Sequence, residues 1–174
     1  MDCDPGVDDA IALAYAAAHP EAFELLAVTS VTGNQTIDKV TRNALDLVSL
    51  YRLSIPVARG AETPLLRDPQ PASDYHGANG LGNVENPRSQ EDVVEESAVF
   101  FMKKLISELP EGEKITLICT APLTNVALLL KVFPEVKEKI WEILLMGGAV
   151  AGGNVTASAE FNIYEDPESA RIVF

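Results

Sequence analysis

The 174-residue chain has only 2 cysteines and 1 tryptophan, and few basic residues: 13 Lys and Arg against 26 Asp and Glu, a net charge of −13. Each scarcity excludes something. Two cysteines without CxxC spacing make neither a disulfide framework nor a zinc ribbon, so Cys3 and Cys119 read as small buried core residues. An excess of acid of this size argues against a basic surface that tracks phosphates, and no nucleic-acid partner is expected. No apolar run reaches the roughly 18 residues of a membrane span. Nor does a basic stretch open the chain ahead of an apolar core as in a signal peptide, so a cytoplasmic protein without membrane contact is expected. With 47% hydrophobic and 22% charged residues, the composition is that of an ordinary globular domain, and residues 1–174 are read as one unit.

The acid that is present is unevenly placed. Asp2, Asp4, Asp8 and Asp9 crowd the first nine residues, and no Lys or Arg occurs before Lys39. Pro5-Gly6-Val7 and the apolar Ala10-Ile11-Ala12-Leu13-Ala14 interleave these acids, which argues against a solvated acidic tail. A Pro-Gly turn can fold the chain back so that carboxylates on either side of it converge. Buried together, they would repel one another and demand a counter-charge. Oxygen donors without a His/Cys cluster suit Ca²⁺, with its six to eight ligands at roughly 2.3–2.6 Å, better than zinc. The plainer alternative is that Asp8 or Asp9 caps the helix that follows.

Further along, apolar β-branched runs alternate with amphipathic stretches. Strands are expected over Glu24–Val31, Ile55–Gly60, Lys114–Cys119 and Ile140–Met146. Helices are expected from Thr36, the expected N-cap, with Ile37, Val40, Ala44, Leu47 and Tyr51 on one face, around Val94, Ala98, Phe101 and Leu105, over Leu123–Val132, and from Asp166-Pro167-Glu168. Ala61–Gln90 and Ala149–Glu165 read as long loops, which are usually functional. The alternation implies an α/β fold, a mostly parallel Rossmann-like sheet with helices on both faces, whose ligands bind beyond the carboxyl ends of the strands.

The opening segment Asp2-Cys3-Asp4-Pro5-Gly6-Val7-Asp8-Asp9-Ala10 resembles the DxDPGxDDA signature of the nucleoside hydrolases, the inosine-uridine-preferring nucleoside N-ribohydrolase family. Gly33-Asn34-Gln35-Thr36, Val40-Thr41-Arg42-Asn43-Ala44 and His76-Gly77-Ala78-Asn79-Gly80-Leu81-Gly82 resemble further motifs of that family. Ala121-Pro122-Leu123-Thr124-Asn125, Leu145-Met146-Gly147-Gly148 and Glu160-Phe161-Asn162 follow in the family's order. Each later motif is weak alone; six in sequence behind the acidic signature are not.

The resemblance implies hydrolysis of the N-glycosidic bond of a ribonucleoside, with Ca²⁺ held by Asp4, Asp9 and the backbone carbonyl of Thr120. It makes Asp4 the base that activates water. It places Asp8 and Asn34 near the ribose 2′-hydroxyl, and Asn154, Glu160 and Asn162 around the 3′- and 5′-hydroxyls. His76 would touch the base or ride a closing loop, and Met146 would pack under ribose or base. Several have a plainer reading: Thr120 as the cap of the helix that follows Lys114–Cys119, Asn34 and Asn154 as turn residues beside glycines, His76 as a solvated loop residue, and Met146 as the end of a buried strand.

Members of the family run well beyond Phe174, where they supply another metal-binding Asp and, in some subgroups, a histidine near the leaving group. An apolar strand also normally precedes the signature. The reading is therefore of a fold trimmed at both ends, weakly active or inactive by itself, with exposed sheet edges that favour a homo-oligomer. Two alternatives remain: a nucleoside- or sugar-binding protein without catalysis, and a haloacid-dehalogenase-like phosphatase, whose DxD motif also follows a strand. The Pro5-Gly6 turn and Asp8-Asp9 speak against the latter.

Overall fold

A computed structural model describes residues 1–174. Five strands, β1 (Asp2–Cys3), β2 (Val28–Ser30), β3 (Val57–Arg59), β4 (Ile115–Cys119) and β5 (Ile140–Leu145), form one parallel sheet in the order β3-β2-β1-β4-β5. The helices between them are α1 (Val7–Ala18), α2 (Ile37–Leu50), α3 (Ser73–His76), α4 (Ala98–Glu108) and α5 (Thr124–Val132), with α6 (Phe161–Glu165) and α7 (Pro167–Val173) after the last strand. From β1 the chain winds outward through β2 to β3, then crosses back to lay β4 on the other side of β1. The β1–β4 seam is thus the topological switch point, where loops diverge and leave a crevice at the carboxyl ends of the strands.

Pattern and packing agree for most elements. In α2 the side chains of Ile37, Val40, Ala44 and Leu47 are buried, and Ala44 and Leu47 pack with Cys3, Leu13, Val28 and Val57 on one face of the sheet. Met102 and Ile106 of α4 and Val126 and Leu129 of α5 pack with Leu117 and Cys119 on the other. Both cysteines are free and buried, as expected of small core residues. Thr36 and Asp166 take the N-cap positions of α2 and α7, and only Asp166 caps with its side chain, to Ser169 N–H.

Several expectations need correction. The segment before β2 is not strand: pairing begins at Val28, because β1 offers only Asp2 and Cys3 as partners. Val94 lies outside α4, its N–H being taken by Val57 O, and the helix starts at Ala98. The two long loops contain the short helices α3 and α6. Helices cover both faces only near β1 to β3; Trp141 and Leu144 of β5 are 71% and 50% exposed. Since β1 meets β4 only at Asp2↔Cys119, an apolar cleft of about 500 Å³ opens between the start of β4 and the chain leading into β2. It lies at the amino end of the strands, away from the acidic residues that follow β1. No helix is long and apolar enough to cross a membrane.

Candidate active site

At the switch point, the first residue beyond β1 is Asp4, and its carboxylate is buried completely. The turn after β2 reaches over it. Gly33 has no side chain where a Cβ would overlap Asp4 Oδ2 and come within 2.9 Å of Pro122 Cδ, so backbone can approach the acid closely. Asn34 then donates its backbone N–H to Asp4 Oδ2 at 2.6 Å and its Nδ2 to the Asp4 carbonyl at 3.2 Å. Asp4 Oδ1 has no partner, although it is buried. Burial, and next the charge of Asp9, push the Asp4 carboxyl well above its ordinary range, against the pull of the Asn34 N–H.

Asp9 approaches from the first turn of α1. Gly6 is the N-cap, Asp9 is the third helical residue, and its Oδ2 accepts the Gly6 N–H at 2.9 Å. Asp9 therefore closes half of a capping box while facing Asp4 and Thr120, so the helix-cap reading holds and is compatible with a site role for the same residue. Oδ1 of Asp9 accepts the Thr120 hydroxyl at 2.5 Å, and Oδ2 is 3.3 Å from Asn34 Nδ2. Burial, and then the charge of Asp8, raise its carboxyl to about 6 against these donors.

The other residues singled out by sequence fall into a chain of contacts around this pair. Asn162 donates Nδ2 to the Thr120 carbonyl and to the Met146 carbonyl, both at 3.0 Å, tying the ends of β4 and β5 together. Glu160 accepts the N–H groups of Asn162, Ile163 and Gly148, so it caps α6 and holds the turn after β5. Asn154 Oδ1 accepts the Phe161 N–H at 2.8 Å, a bond that fixes the loop across seven residues. Met146 is partly exposed at the end of β5. On the opposite side Asp8 is solvent-facing, with Oδ1 3.9 Å from Nδ1 of His76, which itself accepts the Val7 N–H at 3.2 Å. Asp4, Asp9, Asn34, Thr120, Asn162 and Met146 are thus brought together, whereas Asp8 and His76 form a separate lip and Asn154 stands farther out.

An unpartnered, buried carboxylate oxygen beside a second buried carboxylate is a deficit that a cation removes. The Thr120 carbonyl keeps one lone pair beyond its bond to Asn162. These are hard oxygen donors, as Ca²⁺ or Mg²⁺ requires. They fit such an ion but do not complete its shell, because no group of three His, Cys, Asp or Glu side chains stands at metal-holding geometry.

Some roles emerge only from the structure. Gly33 belongs to a motif in sequence, and the turn Gly33-Asn34 after an apolar strand is the signal of its close approach to Asp4. Asn43 donates Nδ2 to the Pro5 carbonyl at 3.1 Å and so pins the Pro-Gly turn from α2. Asp2, grouped with the other acids, is in fact below the site: its Oδ1 accepts Thr29 Oγ1 at 2.5 Å and Asn125 Nδ2 at 2.8 Å. Burial above all raises its carboxyl to about 6.

Comparison with known proteins places this geometry among relatives. The profile of the family described as inosine-uridine preferring nucleoside hydrolase matches residues 1–174. A pyrimidine-specific ribonucleoside hydrolase RihA from Salmonella typhimurium is 49% identical over 175 residues, covering 100% of this chain and 55% of the relative. The chain thus spans about half the length of such curated relatives. Among solved structures, the plant nucleoside hydrolase PpNRh1 superposes with a TM-score of 0.91 at 37% identity, over 99% of this chain and 54% of that one. A purine-preferring ribonucleoside hydrolase from Gardnerella vaginalis does so with a TM-score of 0.90 at 38% identity, over 99% of this chain and 55% of its own.

Proposed function

This chain belongs to the inosine-uridine preferring nucleoside hydrolase family, and from that premise we propose that it carries the base and part of the cation and ribose site of an enzyme splitting ribonucleosides into ribose and free base. One observation supports the reading most: the buried, unpartnered Asp4 Oδ1 beside Asp9 at the switch point of the sheet. Cleavage of the N-glycosidic bond passes through an oxocarbenium-like state and needs a water deprotonated and aimed at the anomeric carbon. Asp4 Oδ2 is engaged by the Asn34 N–H, so Oδ1 is the atom left to take the proton of that water. The raised proton affinity belongs to the cation-free site, where burial and Asp9 oppose charge on Asp4; a bound cation would offset it.

Ca²⁺ held by Asp4, Asp9 and the Thr120 carbonyl supplies, when bound, positive charge and orientation for the water and the ribose diol. Thr120 Oγ1–H and Gly6 N–H hold Asp9 in place for that task. Asn34 and Asp8 bind the 2′-hydroxyl, and Asn154, Glu160 and Asn162 the 3′- and 5′-hydroxyls. His76 and Met146 border the base. Asn154 keeps Nδ2 and Asn162 keeps Oδ1 for a ligand, whereas both Glu160 oxygens already accept backbone N–H groups and offer only their remaining lone pairs. Pyrimidine ribonucleosides are the expected first substrates, since the 49%-identical relative is named pyrimidine-specific and the purine-preferring structure is 38% identical. Nucleoside salvage in the cytoplasm and self-association complete the reading, the latter supported by exposed Trp141 and Leu144 on the edge strand β5.

The test is ribose release from uridine, cytidine and inosine, with and without Ca²⁺, by a chain of the relatives' full length carrying these residues. Asp4→Ala should lower turnover by roughly 10²–10⁴, the usual worth of a general base, with the circular-dichroism spectrum unchanged. Undiminished turnover rejects Asp4 as base, and ribonucleoside binding without any ribose release favours a binding protein. Residues 1–174 alone, with two carboxylates in place of a full shell, should release ribose slowly or not at all.

A further inference from the structure

Three polar residues at four-residue spacing, Gln35, Lys39 and Asn43, run along the N-terminal end of α2 and meet the loop around His76 in matching order. Gln35 Nε2 donates to Ser73 Oγ at 2.7 Å and to the Gly77 carbonyl at 2.9 Å. Lys39 Nζ donates to the Ala78 carbonyl at 2.7 Å, and Asn43 Nδ2 to the Asn79 carbonyl at 2.9 Å. Lys39 also donates to Gln35 Oε1 at 3.2 Å, so the first two members brace each other. The Gly77 carbonyl also accepts the Gly80 N–H at 3.1 Å, and Gly77, Gly80 and Gly82 adopt positive φ of 76°, 86° and 64°, a backbone path that turns successive carbonyls toward α2. The helix supplies only donors and the loop supplies mainly backbone acceptors.

That attachment puts the His76 ring over the start of α1. A Cβ on Gly6 would lie 2.5 Å from His76 Nδ1 and 2.6 Å from Asn34 Nδ2, so both side chains rest on the bare glycine. His76 Nδ1 meets the Val7 N–H, which can only donate. A ring nitrogen that accepts a hydrogen bond carries no proton, and the neutral imidazole then bears its hydrogen on Nε2. His19, the other histidine, has the opposite partner: its Nδ1 is 2.8 Å from the Tyr15 carbonyl, which can only accept.

We propose that Gln35, Lys39 and Asn43 are positioning residues that hold the His76 loop against α1 and thereby preset His76 as the Nε2–H tautomer, a hydrogen-bond donor. An acceptor on the ligand, such as a base carbonyl oxygen, is what this ring can receive. Only the identity of that ligand as a nucleoside rests on the function proposed above.

Imidazole nitrogen spectra of the ¹⁵N-labelled, nucleoside-free chain test the preset at neutral to mildly alkaline pH. His76 should show an unprotonated Nδ1 and a protonated Nε2, and His19 the reverse. Lys39 is exposed, so Lys39→Met keeps the fold. It should turn the His76 pattern into a tautomer average, leave His19 unchanged and lower exchange protection of the Gly82 N–H, which bonds the His76 carbonyl, by roughly tenfold, about one hydrogen bond's worth. Lys39→Arg should restore both readouts and Gln35→Ala should reproduce the loss. A protonated Nδ1 or a tautomer mixture at His76 in the unaltered chain, or a His76 pattern indifferent to both Lys39→Met and Gln35→Ala, overturns the proposal. None of these readouts involves hydrolysis, so a failure to release ribose and a failure here are separate results.

Discussion

Asp4→Asn should make the cation-free chain more stable while removing the carboxylate proposed as the base. The carboxylate is buried, Oδ2 has the Asn34 N–H, and Oδ1 has nothing. In the asparagine variant the carbonyl oxygen can keep the Asn34 bond, and the NH₂ group takes the place of Oδ1 facing Asp9. An uncompensated buried polar atom costs about 1–3 kcal/mol, so relief of that deficit should raise stability by roughly the same amount. For a chain of this size, 1 kcal/mol moves Tm by about 2–4 °C, which puts the expected rise at roughly 2–12 °C. The sign of the pH dependence follows from the raised proton affinity of Asp4. The folded state binds its proton more tightly than the unfolded state, so the penalty is present at neutral pH and vanishes as pH falls toward the ordinary carboxylate value. The advantage of the variant should therefore shrink on acidification. Calcium should reverse the order, since binding to the native state alone adds about 2.7 kcal/mol at a hundredfold excess over Kd, and only the unaltered chain retains both carboxylates. Thermal and urea melts at pH 7 and pH 4.5, with calcium or with chelator, measure all of this. A variant less stable than the parent in chelator, or one equally stabilised by calcium, refutes the reasoning.

Three other substitutions probe the supports of the site. Thr120→Val removes the hydroxyl that holds Asp9 Oδ1 and should lower stability by about 1–3 kcal/mol at pH 7 in urea melts, and less at acid pH, where Asp9 is protonated. Asn125→Ala leaves Asp2 Oδ1 with only the Thr29 hydroxyl and takes a partner from the Ser30 carbonyl and the Ala61 N–H, and should cost about 3 kcal/mol, with loss of the folded signal in cells at 37 °C as the readout. Gly33→Ala forces Asp4 from its seat by the overlap with Oδ2; calcium-induced protection against melting should disappear although α2 and the sheet remain folded by circular dichroism.

The fold was legible because its signals are periodic. The apolar stripe of Ile37, Val40, Ala44 and Leu47 and the β-branched runs at β4 and β5 report burial directly, and alternation of the two periods implies a parallel sheet. The acids at Asp4 and Asp9 were legible for a different reason, because charge without counter-charge in an apolar setting is conspicuous. What stayed hidden depends on a third dimension. Asn43 and Pro5, or Asn125 and Asp2, are far apart in the chain and meet only through the winding of β1 between β2 and β4. Equally, nothing in the spacing of Asp2, Asp4, Asp8 and Asp9 separates the residue under the site from the residue at its lip. Alternation along β1 and the angle at which α1 leaves the Pro-Gly turn decide that.

Asp9 shows why the helix-cap and metal-site readings of the opening acids did not compete. A helix N-terminus carries partial positive charge and unsatisfied N–H groups, so it holds a carboxylate in a fixed orientation without a cationic side chain. Asp9 uses Oδ2 for that purpose and receives Thr120 on Oδ1. The cap is therefore how α1 aims an acid into the crevice rather than an alternative to the site. Lysine or arginine could not serve in its place, because a fixed cation would neutralise the field that draws a metal ion and would occupy the space it needs. Lys39, the first basic residue of the chain, is turned toward the Ala78 carbonyl.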